Sequence, residues 1–164
     1  MLTKLKYTGV NVKDLIEIYC LFIRSRAEYM SVVWHSSLTA AEGKRIENIQ
    51  KTSLKIILGE SYIDYPTSLV STALQELSIR REARCLSFAR RCLKNPLTAG
   101  MFPQNPEHTY DVSGCVRRTE KFRVNFARTE NYRQSTVPYC QRLLNQHDLL
   151  EEERRRRRRE EAGL

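Results

Sequence analysis

Residues 39–59, with the sequence TAAEGKRIENIQKTSLKIILG, determine the fold that we expect for this chain. Thr39 and Glu42 form a capping-box pattern, in which the threonine oxygen and the glutamate carboxylate each accept a hydrogen bond from an N–H group at the helix start. Gly59 follows the last apolar residue, where the backbone conformation that ends many helices favours glycine. The stretch therefore predicts a helix over residues 40–58.

Upstream of this stretch, apolar residues also recur at helical spacing. Leu15, Tyr19 and Phe22 are three or four residues apart, with Ile16 and Ile23 beside them. This spacing is typical of one face of an α-helix. It predicts a helix that begins near residue 11 and whose apolar stripe continues toward residue 34.

Two helices are expected between residues 59 and 96. Pro66 suits the first turn of a short helix that reaches about Thr72, because the first turn needs no N–H group from proline. Ser78 is expected to cap a third long helix, which ends before Pro96 because proline cannot continue the hydrogen-bond ladder. The apolar side of this helix is predicted to contain Ile79, Ala83, Leu86, Ala89 and Leu93.

The composition changes after residue 95. Prolines and glycines interrupt residues 95–120, which are expected to form a loop or linker. Residues 121–127 alternate weakly between apolar and polar side chains, which fits either a short strand or an extended arm. A last helix is predicted to begin near Val137 and to carry Leu143 and Leu144 on its apolar side.

These patterns predict an all-α fold with three segments. Residues 1–95 are expected to form a small helical bundle, residues 96–136 an irregular basic arm, and residues 137–164 a C-terminal helix with a Glu/Arg-rich tail. A chain of 164 residues suits one compact domain plus a tail, because domains commonly hold about 100–150 residues.

The net charge and the cysteines narrow the class of protein. Lysine and arginine number 28 against 19 acidic residues, and a formal charge of +9 attracts polyanions such as nucleic acid. The five cysteines are odd in number and widely spaced, which favours reduced thiols in an intracellular protein, cytoplasmic or nuclear. The apolar stretches fall well short of the roughly 20 residues that span a bilayer, so no membrane association is expected.

Two of the predicted helices place cations on one face. The wheel of the second long helix groups three lysines opposite its isoleucines, and these are Lys44, Lys51 and Lys55. The third long helix groups Arg80, Arg84, Arg91 and Lys94 within an arc of roughly 80°. Each phosphate neutralised by such a face adds to a salt-dependent affinity. The alternative is that these faces are only solvated, as on many amphipathic helices.

The predicted arm interleaves cations with aromatic side chains. Its cations are Arg117, Arg118, Lys121, Arg123, Arg128 and Arg133, and its aromatics are Phe122, Phe126 and Tyr132. Arginines that bind phosphate beside rings that stack on bases suit single-stranded nucleic acid. The alternative is that the rings anchor the arm to the bundle.

The tail carries six arginines, residues 154–159, flanked by five glutamates. Pairs of glutamate and arginine three or four residues apart support a solvent-exposed helix, which is the interpretation that we prefer. A nuclear-import or RNA-binding patch is the alternative.

The sequence lacks the residue patterns of common catalytic and metal sites. Two-metal phosphoryl transfer needs clustered carboxylates, whereas the aspartates are isolated at Asp14, Asp64, Asp111 and Asp148. No CxxC pair and no glycine-rich phosphate loop is present. We therefore expect no enzymatic activity, no metal and no cofactor.

Several short motifs, taken in order, resemble a known family. They are DLIEIY (14–19), IRSRAEY (23–29), VWHSSL (33–38), IENIQK (46–51), IILG (56–59), LSIRRE (77–82) and RTENYRQSTVP (128–138). Together they resemble the region downstream of the palm in reverse transcriptases of non-LTR retrotransposons of the jockey-like and LINE-like kind. The likeness covers about residues 5–145, and the tail after His147 has no counterpart in it.

The resemblance implies a helical thumb that grips template–product nucleic acid, an RNA–DNA hybrid or a single strand, without catalysing the transfer. It implies that the basic faces contact nucleic acid and that the palm and fingers of the parent polymerase, which are missing here, are partners. Two other functions remain open: a helical protein-interaction module, with Trp34 and the stripe of Tyr19 and Phe22 as exposed anchors, and a non-functional product of a decayed retroelement.

Overall fold

The computed structural model describes residues 1–105 and 120–161, and it confirms the all-α class: the described residues form helices and no strand. Two compact units are present, Met1–Arg84 and Cys85–Leu164. One long helix contributes its first part to the first unit and its second part to the second, so the unit boundary lies inside a helix rather than in a linker at residue 95.

The helices are α1 (Leu2–Tyr7), α2 (Val12–Ile18), α3 (Ser25–Ala27), α4 (Ser31–Trp34), α5 (Ala40–Leu58), α6 (Tyr65–Ser71), α7 (Leu77–Lys94), α8 (Pro96–Ala99), α9 (Glu130–Arg133) and α10 (Thr136–Glu161).

Helix α5 begins and ends where the capping pattern predicts. The Glu42 N–H donates to the Thr39 hydroxyl oxygen at 3.3 Å, and the Thr39 N–H donates to the Glu42 carboxylate at 2.9 Å. The helix ends at Gly59, whose φ of +58° is unfavourable for any residue with a Cβ atom. The residues that specify both ends lie within three residues of them, which is why the local sequence is sufficient to predict them.

A π-helical turn, Tyr19–Arg24, connects α2 directly to α3. A π turn contains about one residue more than an α turn, so it shifts the phase of the side chains that follow. Leu15 and Tyr19 are buried as predicted, but Phe22 is 59% exposed and Ile23 packs against the core in its place. The prediction that Phe22 continues the buried stripe is therefore wrong.

The apolar stripe was also expected to continue toward Trp34 in one helix. The chain instead leaves the helix after α3, and Met30 takes a φ of +50° immediately before α4. Leu2, Leu15, Tyr19 and Ile57 form the buried centre of the first unit, between α1, α2 and α5.

Helix α6 has proline in its first turn as expected, whereas the start of α7 differs from the prediction. Ser78 does not cap α7: the helix begins at Leu77, and the Leu77 N–H donates to Glu47 Oε1 at 3.1 Å. The Ser78 hydroxyl instead donates to the Glu76 carboxylate at 3.2 Å. A carboxylate thirty residues away in sequence therefore accepts from the first N–H group of α7.

The buried face of α7 is also rotated from the predicted one in its first half. Ile79 and Ala83 are exposed, while Leu77, Arg81 and Cys85 are buried at four-residue spacing. The prediction for Ile79 and Ala83 is wrong because the pattern treated Arg81 as a surface residue. The second half of the predicted face is confirmed by Leu86, Ala89 and Leu93, which lie in or against the core of the second unit.

The second unit contains two short helices, α8 and α9, within residues 96–136, where an irregular arm was predicted. Asn95 caps α8, its side-chain oxygen accepting from the Leu97 N–H at 3.1 Å. A single antiparallel bridge joins Gln104 to Phe122, so residues 121–127 are an extended arm rather than a strand. Helix α10 buries Leu143 and Leu144 as predicted, in a core with Cys85, Ala89, Cys92, Phe102, Phe122 and Cys140.

The thiols of this core, those of Cys85, Cys92 and Cys140, are buried. Cys140 Sγ donates to the Cys85 carbonyl oxygen at 3.7 Å, and contact with the Cys85 thiol together with burial raises the pKa of Cys140 well above its usual value. The described cysteines are all free thiols. Within the described residues, no helix is both long and apolar enough to cross a bilayer.

Candidate nucleic-acid interface

The predicted lysine face lies on the outside of α5. Lys44 and Lys55 are exposed and Lys51 is half-buried. Lys51 Nζ lies 4.9 Å from the centroid of the Tyr65 ring, and Lys55 Nζ lies 5.6 Å from that of Tyr62. Both distances are within the range of cation–π attraction, which contributes about 0.5–1 kcal/mol at exposed sites. We call Lys44, Lys51 and Lys55 the lysine face.

The Tyr65 ring is fixed beside this face by a hydrogen-bond network. The Tyr65 hydroxyl donates to the Glu47 carboxylate and accepts from Gln50 Nε2 at 3.0 Å. Burial, followed by the hydrogen bond to Glu47, raises the pKa of Tyr65 well above its usual value. The ring therefore stays neutral, and Glu47 points its charge toward the interior between Lys44 and Lys51.

Gln50 extends the network into the interior of the first unit. It is fully buried, accepts from the Tyr19 hydroxyl at 2.7 Å and donates to the Gln75 carbonyl oxygen at 2.9 Å. Burial raises the pKa of Tyr19 well above its usual value, so this hydroxyl remains a donor. The inner side of α5 is thereby joined to the π turn and to the start of α7, which holds the lysine face in place.

Two arginines of the predicted α7 stripe bind a buried carboxylate. Arg80 Nε lies 2.7 Å from Glu28 Oε1, and an Arg84 guanidinium nitrogen lies 2.9 Å from Glu28 Oε2. A second Arg84 nitrogen donates to the Glu28 backbone carbonyl at 3.1 Å. Glu28 is 1% exposed and raises the pKa of Arg80. These arginines therefore fasten the break between α3 and α4 to α7.

A third arginine of α7 was missed by the sequence analysis. Arg81 is 2% exposed, its guanidinium lies 5.9 Å from the centroid of the Trp34 ring, and its Nε lies 3.4 Å from His35 Nδ1. Burial first, and then the charge of Arg81, lowers the pKa of His35. No local pattern distinguishes Arg81 from Arg80, because the aromatic partner lies in a distant part of the sequence.

This pairing predicts a pH-dependent stability. Folded His35 stays neutral below its ordinary value of 6.5, whereas the unfolded chain takes up a proton there. The free energy of unfolding should be highest above this value and should fall as the pH is lowered from about 7.5 to about 5.5. Urea unfolding of His35→Gln should lack part of this decline, and His147→Gln serves as the control. An unchanged pH profile in His35→Gln would contradict the prediction.

The second unit presents its cations in several places. Arg91, Lys94, Arg123 and Arg128 are exposed, whereas Arg133 lies 3.5 Å from the Glu130 carboxylate. Lys121 lies 3.4 Å from Asp148, while Arg117 and Arg118 fall outside the described residues. The aromatic residues of the arm differ in exposure. Phe122 is buried and anchors the arm, whereas Phe126 and Tyr132 are exposed, as stacking on bases would require.

Side-chain amides of α10 hold the arm. Asn145 Oδ1 accepts from the Phe122 N–H at 2.9 Å, and Asn145 Nδ2 donates to the Phe122 carbonyl at 2.9 Å. One turn earlier, Gln141 accepts from the Asn125 N–H at 3.0 Å and donates to the Met101 carbonyl at 2.9 Å. Asn145 pairs with Phe122 as a neighbouring strand would, and Gln141 joins the arm to Met101, so the backbone at Arg123 has a defined position.

The tail forms the helix that its charge pattern predicts. Helix α10 continues to Glu161, and the arginines whose side chains are described there are exposed. They are Arg154, Arg155, Arg157, Arg158 and Arg159.

A cluster of potential metal ligands lies earlier on α10 and was not anticipated. His147, Asp148 and Glu151 place their ligand atoms within 4.8 Å of one another, which the spacing HDxxE on one helix would have indicated. Arg90 contacts both His147, at 3.1 Å, and Glu151, at 3.6 Å, and Lys121 contacts Asp148. Cations of the chain itself therefore neutralise this cluster.

No protein-family model matches this chain, and no curated protein or solved structure is significantly similar to it. A functional assignment therefore rests on the surfaces of the molecule. Two of them have a defined geometry in the first unit: the lysine face and an apolar groove described below.

Proposed function

We propose that this chain is a non-catalytic, thumb-like segment of a non-LTR retrotransposon reverse transcriptase, and that it binds template–product nucleic acid through exposed basic faces. The observation that carries the proposal is the lysine face, in which Lys44, Lys51 and Lys55 share one side of α5 and two of them lie beside tyrosine rings. A face with three lysines and two neighbouring tyrosine rings is suited to a phosphate backbone.

The dimensions of the face fit a nucleic-acid strand. Lys44 and Lys55 are eleven residues apart, so they span about 16 Å along the helix at about 1.5 Å per residue. Phosphates follow one another at about 3.4 Å of axis per strand, so the face covers about five of them. Because their ammonium groups are exposed, Lys44 and Lys55 can each neutralise one phosphate without breaking an interior contact.

The wider assignment draws on the ordered motifs. The motif at 46–51 supplies Glu47 and Gln50, which build the network beneath the lysine face, and Lys51, which belongs to that face. In this proposal the partners are an RNA–DNA hybrid or a single strand and the palm and fingers of the parent polymerase, in the cytoplasm or nucleus. The exposed Arg91, Lys94, Arg123 and Arg128 form additional contacts with nucleic acid.

The test is a binding measurement with fluorescein-labelled RNA–DNA hybrid, duplex DNA and single-stranded RNA, followed by anisotropy across a salt series. The Lys44→Gln/Lys55→Gln variant should reduce the slope of log K against log salt by about 1.8, because each neutralised phosphate contributes about 0.9. Affinity at low salt should fall about tenfold. Arg84 is not a suitable target because it binds Glu28.

The matched control removes two other exposed lysines of the same unit, in Lys4→Gln/Lys13→Gln. This variant has the same net charge as the test variant, so it isolates the position of the charge from its amount. Binding that is insensitive to salt, or an equal loss of affinity in both variants, would refute the proposal.

A further inference from the structure

An open apolar groove lies on another side of α5 from the lysine face. Two adjoining depressions of about 480 and 590 Å³ form it, and both are lined by Met1, Ile23 and Ile49. Phe22 and Ile56 extend the apolar surface. We call these five residues the apolar groove; on the wheel of α5 its centre is roughly 110° from the lysine face.

The π turn produces this groove. An uninterrupted α-helix would direct Phe22 inward with Tyr19, whereas the extra residue of the π turn leaves Phe22 59% exposed at the groove and places Ile23 on its shared wall. Ile49, on the facing helix, is 42% exposed. A π turn has less favourable hydrogen-bond geometry than an α turn and occurs frequently at functional sites. The π turn and the exposed apolar surface therefore coincide.

The shape of the groove favours a helix over a small molecule. A small ligand is commonly buried over about 70–90% of its surface, which requires an enclosed pocket. This groove is open to solvent, so it covers only one side of an occupant. An amphipathic helix needs no more than that, since it inserts apolar side chains spaced three or four residues apart and leaves its other face in water.

The charge of the groove indicates the character of that helix. Arg26 and Arg45 line it, and no carboxylate is among its described lining residues. The acidic residues of α5 are engaged in other contacts: Glu47 binds the Tyr65 hydroxyl and the Leu77 N–H, and Glu42 binds Thr39 in the capping box. Acidic residues beside the apolar stripe of a bound helix would meet these arginines, whereas basic residues would be repelled.

We propose that the apolar groove binds an amphipathic helix of another protein, with large apolar residues on one face and acidic residues flanking them. This interaction is independent of nucleic-acid binding, because it uses a different side of α5. The two arginines set the selectivity for an acidic partner, and Phe22, Ile23 and Ile49 provide the apolar contact area.

The experiment uses the full chain and a labelled 18-residue peptide with leucines at helical spacing and glutamates beside them. Its matched control carries lysine in place of every glutamate. Anisotropy should show saturable binding of the acidic peptide, with Kd on the order of 10–100 μM, and at least tenfold weaker binding of the basic one. Ile49→Glu should weaken binding of the acidic peptide at least tenfold, and Arg26→Glu/Arg45→Glu should reverse the preference between peptides.

Three results would overturn the proposal: no saturation up to about 1 mM peptide, equal affinity for both peptides, or unchanged affinity in Ile49→Glu. Sedimentation tests whether a second copy of the chain occupies the groove instead. A dimer that dissociates in Ile49→Glu would assign the groove to that second copy. Ile49 is already partly exposed, so its replacement should leave the circular dichroism spectrum unchanged; Phe22→Ser is a second variant of the same kind. Ile49→Glu should retain its affinity for nucleic acid, which separates this proposal from the preceding one.

Discussion

Replacing Glu28 by glutamine should lower the free energy of unfolding of the first unit by about 2–4 kcal/mol, one of the two largest effects that we expect from a single substitution. Glu28 is 1% exposed, and its carboxylate contacts Arg80 at 2.7 Å and Arg84 at 2.9 Å. Glutamine preserves the shape of the side chain but removes the charge. The two arginines would then face a neutral amide that also presents a donor group to them.

The magnitude follows from the unequal exposure of the partners. Breaking a fully buried ion pair costs about 3–5 kcal/mol, because it leaves an uncompensated charge without water. Here the side chains of Arg80 and Arg84 are 28% and 45% exposed, so both cations can recover part of their hydration. Arg84 also keeps its hydrogen bond to the Glu28 backbone carbonyl, at 3.1 Å, because the substitution changes only the side chain. The expected loss therefore lies below the upper limit for a buried pair.

Urea unfolding followed by circular dichroism measures this effect. Glu17→Gln, on the exposed face of α2, is the matched control and should change the free energy of unfolding by less than about 0.5 kcal/mol. The double variant Glu28→Gln/Arg84→Gln should be less destabilised than the sum of the two single variants, because both remove the same contact. Additive effects, or a Glu28→Gln variant as stable as Glu17→Gln, would show that the contact contributes little.

Those features of the fold that depend on neighbouring residues are predictable from sequence. Thr39, Glu42 and Gly59 specify both ends of α5 through contacts within a few residues, and the structure confirms them. The π turn is different, because nothing in the spacing of Leu15, Tyr19 and Phe22 distinguishes it from an α turn. Its register depends on tertiary packing, and a periodicity argument consequently buries Phe22.

The candidate interface shows the same division. The three lysines of α5 share a face because helical geometry alone places them there. The wheel of α7 groups Arg80 with Arg91 equally well, yet Arg80 binds a carboxylate 52 residues away in sequence. A partner at that distance leaves no local pattern, so the wheel overestimates the number of cations that are available to phosphate.

The arm depends on one side chain of α10, and Asn145→Leu should release it. Leucine keeps the branched skeleton of asparagine in a bulkier form, and it leaves the N–H and C=O groups of Phe122 without their partners at 2.9 Å. Each buried group that is left unsatisfied costs about 1–3 kcal/mol, so keeping the arm in place with both groups unsatisfied costs about 2–6 kcal/mol. Detaching the arm instead exposes the Phe122 ring, at about 1.5–3 kcal/mol.

The smaller of these costs determines the outcome, so the arm should detach while α10 remains helical. Two backbone hydrogen bonds, from Asn105 to Lys121 and from Arg123 to Pro103, would remain to oppose release. Detachment also breaks these two hydrogen bonds. The fraction of molecules with a free arm should therefore rise sharply, although some molecules keep the arm in place. Trypsin reports this population, since cleavage after Arg123 requires an arm that has left the helix.

We expect cleavage within the arm to accelerate by at least tenfold in Asn145→Leu, with little change in the helical content measured by circular dichroism. Gln146→Leu introduces leucine at the neighbouring, exposed position, and this variant should be cleaved at the rate of the original chain. Hydrogen exchange at the Phe122 amide should accelerate in parallel, because this N–H donates to Asn145. Equal cleavage rates in the two variants would mean that the apolar contacts of Phe122 hold the arm and that the amide pairing is dispensable.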